Sequence, residues 1–171
     1  STTRKPATNE FQALTRRDAV NSCKGLMFTV KAKQDVTIEG LNIFPKRSYS
    51  DILIYVLNGD YEGKQLKADK WDRVFKKSFK GLQPGKLLKL DDFSSTVKIK
   101  AGQTKSMFVW SRRGMLYEKG EKERAFLGSN DAIILRTGRK MKSKFRRPAN
   151  PGNWAGVVRY VCVPMYFFLL C

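Results

Sequence analysis

The chain has 171 residues, 42% of them hydrophobic and 12% aromatic, which suits one domain with a buried core and is too apolar for wholesale disorder. Lys and Arg number 34 against 15 Asp and Glu, and the resulting charge of +19 points to an anionic partner and exceeds what solubility needs. There is no histidine, which excludes Ser-His and Cys-His nucleophile pairs and His-ligated metal.

Residues 1–24 read as a basic N-terminal arm carrying Arg4, Lys5, Arg16, Arg17 and Lys24, without the apolar run of a secretory signal. Phe11, Leu14 and Val20 are its candidates for docking on a domain. The Ser- and Thr-rich start also fits the remnant of a cleaved transit peptide. Cys23, Cys162 and Cys171 show no CxxC spacing and leave one thiol over in any pairing, which favours free thiols in a reducing compartment and leaves a Cys23–Cys162 bridge open.

The organising stretch runs from Gly25 to Phe44. Leu26, Phe28, Val30 and Ala32 alternate with more polar neighbours, and Val36 and Ile38 resume the period after Gln34-Asp35. At Glu39-Gly40 the phase slips by one residue, so that Leu41 and Ile43 carry the apolar side; a slip beside glycine predicts a β-bulge. The two arms are expected to form a hairpin.

Asp51 to Leu57 is a strand apolar on both faces, and Asn58-Gly59 predicts a type I′ turn with a strand returning from Tyr61. Trp71, Val74 and Phe75 follow, Trp71 as a core aromatic. Gly81 to Gly85 is a turn. Asp91-Asp92 reads as a strand end, because neighbouring strand residues point to opposite faces and do not converge on one ion. Val97 and Ile99 alternate, Lys105 to Trp110 is a strand, and Gly114 is expected to turn the chain. Glu118 to Arg124 reads as a solvated mixed-charge loop, Ala132 to Leu135 as a strand, Pro148 to Gly152 as a rigid loop and Trp154 to Val161 as a last strand.

Two segments are candidate sites. Arg136, Arg139, Lys140, Lys142, Lys144, Arg146 and Arg147 follow one another without an acid, as a loop or hairpin facing an anionic partner. That partner is expected to be an acidic protein surface, with nucleic acid as the alternative, since phosphate contacts need the same cations. The uncharged end from residue 162 onward holds Pro164, Met165, Tyr166, Phe167, Phe168, Leu169 and Leu170. It is too short to cross a membrane as a helix, and Pro164 disfavours helix through it. It is expected to pack on a neighbouring subunit; the rival is a final strand in its own sandwich. No phosphate loop, zinc spacing or nucleophile elbow is present, so neither catalytic residues, nor a metal site, nor a cofactor is expected.

These cues carry a resemblance. Gly25 to Ala32, Val36-Thr37-Ile38, Ile54-Tyr55-Val56, Gly59 to Gly63, Lys70-Trp71, Phe93 to Gly102 and Asn153 to Tyr160, in that order, resemble the β-rich domain of many proteins of diatoms and related algae, including the diatom pyrenoid shell proteins. The likeness spans about residues 25–160. It implies a non-enzymatic domain and, in the shell proteins, lateral self-assembly around the Rubisco-filled compartment of the chloroplast. The single copy and the basicity of this chain also suit recruitment as an accessory subunit of another large organellar complex, ribosome-associated or RNA-binding. The expected fold is all-β, a two-layer antiparallel sandwich, jelly-roll-like, of about ten short strands over residues 25–161, between the arm and the tail of residues 162–171.

The tail yields a test. Burying Phe167, Phe168, Leu169 and Leu170 contributes about 1.5–3 kcal/mol each, enough to hold a subunit contact. Deleting residues 164–171 should therefore leave a folded monomer with unchanged melting temperature; a large loss of stability in the isolated domain would place the tail in its own core.

Overall fold

The structure, a computed structural model, describes residues 6–164. Its twelve strands are β1 (Asn9–Phe11), β2 (Asn21–Ala32), β3 (Val36–Ile43), β4 (Ser50–Asn58), β5 (Asp72–Phe79), β6 (Leu88–Leu90), β7 (Val97–Ile99), β8 (Thr104–Lys119), β9 (Phe126–Ser129), β10 (Ile133–Ser143), β11 (Arg146–Asn153) and β12 (Gly156–Cys162). They form two antiparallel sheets: one of five strands, β1-β12-β3-β6 with β7 also on β3, and one of seven, β11-β10-β2-β8-β4-β5 with β9 on β10. The expected all-β sandwich is thus the observed one.

Alternation explains the main core. Leu26, Phe28 and Val30 of β2, Ile52 and Ile54 of β4, Met107 and Val109 of β8, and Leu41 and Ile43 of β3 meet between the sheets. Phe28 stacks on Trp154 with centroids 4.6 Å apart, worth about 0.5–1.5 kcal/mol beyond the burial itself. A second cluster lies on the other face of β2. Met27, Phe108, Leu57, Tyr61, Trp71, Met141 and Phe145 are all buried there. This is why β4 reads as apolar on both faces; β2, expected to be half-buried, is covered on its second face too, and Trp71 is core as expected, 5% exposed.

The slip at Glu39-Gly40 is a bulge. Arg159 lies opposite Gly40 and Tyr160 opposite Ile38, which leaves Glu39 as the extra residue. The bend divides β3 into two arms with separate partners: Val36 to Ile38 pair with β7, and Leu41 to Ile43 with β6. Arg159 lies across the gap, buried, donating from Nε to Asn42 Oδ1 at 2.9 Å and from a terminal nitrogen to the Leu90 carbonyl at 3.1 Å.

Four local expectations are corrected. β2 and β3 are not a hairpin but enter different sheets. Gln34-Asp35 supplies no positive φ for a two-residue turn. Asp35 instead accepts from the Ala101 N–H through its carboxylate and from the Val163 N–H through its carbonyl, tying the link to the segments just after β7 and β12 of the five-stranded sheet. Asn58-Gly59 does not close a type I′ turn: Gly59 has φ +82° but donates to Thr104, and the returning strand begins only at Asp72. Tyr61, fully buried, draws the intervening loop over the seven-stranded sheet. Gly114 is not a reversal but part of a bulge in the continuous β8. Pro148 to Gly152 belongs to β11, whose prolines sit opposite Met141 and Arg139.

At the N-terminal end, β1 pairs with β12, Phe11 packs on the main core, Leu14 packs beside buried Ala19, and Val20 stays exposed. Cys23 and Cys162 are both free thiols.

Gly40 tests the bulge. A Cβ there would collide with the Arg159 guanidinium and the Leu90 carbonyl, neither of which can retreat without losing a hydrogen bond. Gly40→Ala should cost about 2–4 kcal/mol in urea denaturation. Gly63→Ala, where the space is open and only the φ of +69° is strained, should cost about 1 kcal/mol.

Candidate anion-binding face

Arg136 to Arg147, expected as a loop or hairpin, is a hairpin of β10 and β11 in which most of the basic residues lie within the strands. Its turn is held down by Phe145, buried against Tyr55 and Phe108 with centroids 4.9 and 5.0 Å away. Phe145 and Arg147 adopt φ of +53° and +51°, a left-handed backbone costing about 1–2 kcal/mol per residue, which the burial of the Phe145 ring offsets.

The hairpin divides its cations between two tasks. Arg136 donates to the Arg124 carbonyl at 3.3 Å. Arg139 donates from Nε to Glu123 Oε2 at 2.8 Å, and a second N–H reaches the same oxygen. The Glu123 side chain is 17% exposed, so Glu118 to Arg124 is not the merely solvated loop expected. Arg124 extends the network, pairing with Asp60 at 3.0 Å and Glu62 at 2.7 Å and so fastening the loop after β4 to the hairpin's flank. Burial first, and the Glu123 carboxylate second, raise the Tyr61 hydroxyl above the ordinary phenol range and keep it protonated.

Lys140, Lys142, Lys144, Arg146 and Arg147 remain without a carboxylate within 4.0 Å among the described residues. Lys140 and Lys142, two apart on β10, share one side and line a cleft of about 250 Å³. Its other cations come from three further segments: Lys24 of β2, Lys46 after β3, and Arg113 of β8. Ser22 and Cys23 complete a lining without a single carboxylate. Burial raises the Cys23 thiol to about 12 despite nearby Lys140, so no thiolate offsets the cations at neutral pH.

A β-bulge builds this cleft. Cys23 pairs with Met115 and Gly25 with Trp110, so that Ser111, Arg112, Arg113 and Gly114 stand opposite the single residue Lys24. Gly114 has φ +98°, and its missing Cβ leaves the space against which Lys46 lies. The bulge is pinned from beneath. Ser50 Oγ and Ser111 Oγ, both buried, are 2.9 Å apart; the Arg113 N–H donates to Ser50 Oγ; and the Lys46 N–H donates to the Gly114 carbonyl at 3.1 Å. Two cations are oriented by rings, Lys140 with Nζ 5.5 Å from the Tyr117 centroid and Arg113 4.7 Å from that of Tyr49.

Arg112 leads to a second depression of about 310 Å³, lined by Lys76, Lys77, Lys144 and half-buried Trp110, with Asp51 paired to Arg112 at 3.4 Å. A wider depression of about 650 Å³ lies over the five-stranded sheet, where Glu39, Asp91 and Asp92 face Arg159 and Lys89. Its chemistry is mixed, with Asp91 paired to Lys89 at 3.4 Å and the buried Arg159 occupied by Asn42 and Leu90.

The sequence reading missed Lys46 and Arg113 and assigned Lys24 to the N-terminal arm, whereas it lies in β2 and lines this cleft; all three are far from the basic run. The signal for Arg113 was the glycine of Arg112-Arg113-Gly114 inside a strand pattern, a mark of bulges. Of the predicted tail contact, only Pro164 is described, and it is exposed; Met165, Tyr166, Phe167, Phe168, Leu169 and Leu170 lie outside the described residues.

The two tasks separate by mutation. Arg139→Met leaves the Glu123 carboxylate without its partner and should cost about 1–3 kcal/mol in denaturant unfolding. Lys142→Ala and Arg146→Ala, at exposed positions, should stay within about 0.5 kcal/mol of the parent.

No family model matches the chain, and no curated protein matches it.

Proposed function

We propose that the chain is a non-enzymatic subunit that docks through the basic face of its seven-stranded sheet onto an acidic protein surface in a larger assembly. The observation that carries this reading is the convergence of Lys24, Lys46, Arg113, Lys140 and Lys142 on one cleft without a carboxylate, continued by the cations around Trp110. Like charges about 4 Å apart at a protein surface repel by about 4 kcal/mol, so such a face gains most from a partner of opposite sign. Ammonium and guanidinium groups beside a protonated thiol offer attraction and orientation, and with no histidine in the chain the face has no ready proton carrier at neutral pH. The resemblance to the algal β-rich domain supports the same role and adds an algal chloroplast, with assembly into a pyrenoid shell or another organellar complex, as the setting.

Trp110 supports a second reading, binding of single-stranded RNA. Its ring is half-buried beside Lys76, Lys77, Arg112 and Lys144, and a base stacked on an aromatic with phosphates on neighbouring cations is how such strands are held.

Fluorescence anisotropy with a labelled polyglutamate peptide and an RNA of equal charge distinguishes the two. Docking on acidic protein predicts peptide binding that weakens steeply between 50 and 200 mM salt. Reversing Lys142, Lys144, Arg146 and Arg147 to Glu should weaken it at least tenfold, and Trp110→Ala should leave it unchanged. RNA bound more tightly than peptide, with affinity lost in Trp110→Ala, would replace the first reading with the second. Failure of both probes at 50 mM salt would refute docking by charge.

A further inference from the structure

The bulge cleft is more than a patch of a basic surface. We infer that it is a specific site for a terminal phosphate group, that of a phosphomonoester dianion or the end of a pyrophosphate, rather than for the phosphodiester track of a nucleic acid. The inference rests on the docking reading and names the group that the face would grip most firmly.

Three features carry it. The cations come from four segments and converge, whereas a backbone track presents them in a row. Arg113 offers a planar fork of donors, suited to two oxygens of one phosphate, while Lys46 and Lys140 act as point charges. Nothing in the lining repels a dianion, since it contains no carboxylate and the thiol is neutral. Ser22 adds a hydroxyl able to donate to a further oxygen.

The site is also held ready. The Arg113 backbone N–H is tied to Ser50 Oγ, the Lys46 backbone N–H to the Gly114 carbonyl, and the Arg113 and Lys140 side chains lie over Tyr49 and Tyr117. Less order therefore has to be imposed when an anion arrives, which is how preorganisation raises affinity. A group with two negative charges on one phosphorus fits five convergent cations better than a diester with one.

Isothermal titration calorimetry of the full chain with inorganic pyrophosphate tests this at 50 mM salt. Saturable one-to-one binding is expected, weakened at least tenfold in Lys46→Ala/Arg113→Ala and also in Lys24→Ala/Lys142→Ala, with circular dichroism unchanged. Lys98→Ala/Lys100→Ala removes equal charge from exposed positions on and just after β7, in the five-stranded sheet, and should leave the affinity within twofold. A phosphoserine peptide and its unphosphorylated form then identify the source. A phosphopeptide bound more tightly than pyrophosphate marks a phosphorylated protein segment, and the reverse marks a free phosphate ester; both support the site. Absence of saturable pyrophosphate binding would overturn the inference, as would equal weakening by the Lys98/Lys100 pair. Polyglutamate binding that survives in either case would leave the docking reading standing.

Discussion

β2 has to bury both of its faces, and much of the seven-stranded sheet follows from that requirement. Leu26, Phe28 and Val30 fill the space between the sheets, but Met27, on the opposite side, also reaches zero exposure. A sheet face turned to water cannot do this. Something must cover it, and two chain segments do: the loop carrying Tyr61 and Trp71, and the β10–β11 hairpin carrying Met141 and Phe145. Fully burying side chains of this size contributes about 1.5–3 kcal/mol each, enough to hold a hairpin turn whose backbone is locally unfavourable. The basic hairpin is thus fixed by its apolar residues, and its cations are carried into position by them.

That arrangement also sorts the charges. Arg136 and Arg139 turn toward the Glu118 to Arg124 segment and are used within the fold, while Lys140 and Lys142 turn toward the bulge. A basic run in sequence is therefore not one functional unit, because strand alternation sends neighbours to different surroundings. Arg139 beside a largely buried Glu123 is a structural ion pair, and its removal leaves a carboxylate in a poor dielectric. The exposed cations lack such partners among the described residues and keep their charge available.

Local features were legible in the sequence because their causes are local. Period-two alternation gave most of the strands, and the one-residue slip at Glu39-Gly40 located a bulge that the pairing of β3 with β12 bears out. Pairing across long distances left no such trace. Nothing in Ala32 to Val36 shows that the chain passes between sheets, since the contacts that hold the link come from Ala101 and Val163. Trp71 could be placed in a core from its chemistry alone, but the burial of Tyr61 depends on a surface built by β2, β4 and β8. The cleft was illegible for the same reason: Lys24, Lys46, Arg113 and Lys140 are dispersed in sequence and meet only through sheet pairing.

A bulge suits such a cleft for a geometric reason. On a regular strand, side chains on one face follow one another at roughly 6.5–7 Å along a nearly flat row, which matches an extended polymer better than a compact ion. Four residues set against one break the row. Arg113 is lifted from the ladder, Gly114 opens a recess without a side chain, and the segment after β3 lays Lys46 into it. The hydrogen bonds lost at the bulge are replaced by the buried Ser50–Ser111 pair, so the distortion does not leave orphaned polar groups where they would be costly. The neighbouring strand β2 and, beyond it, β10 then supply Lys24, Lys140 and Lys142 from a rigid frame. Flexible loops would hold the same charges further apart, because mutual repulsion would spread them; a bulge within a paired sheet holds them together at the expense of local regularity alone.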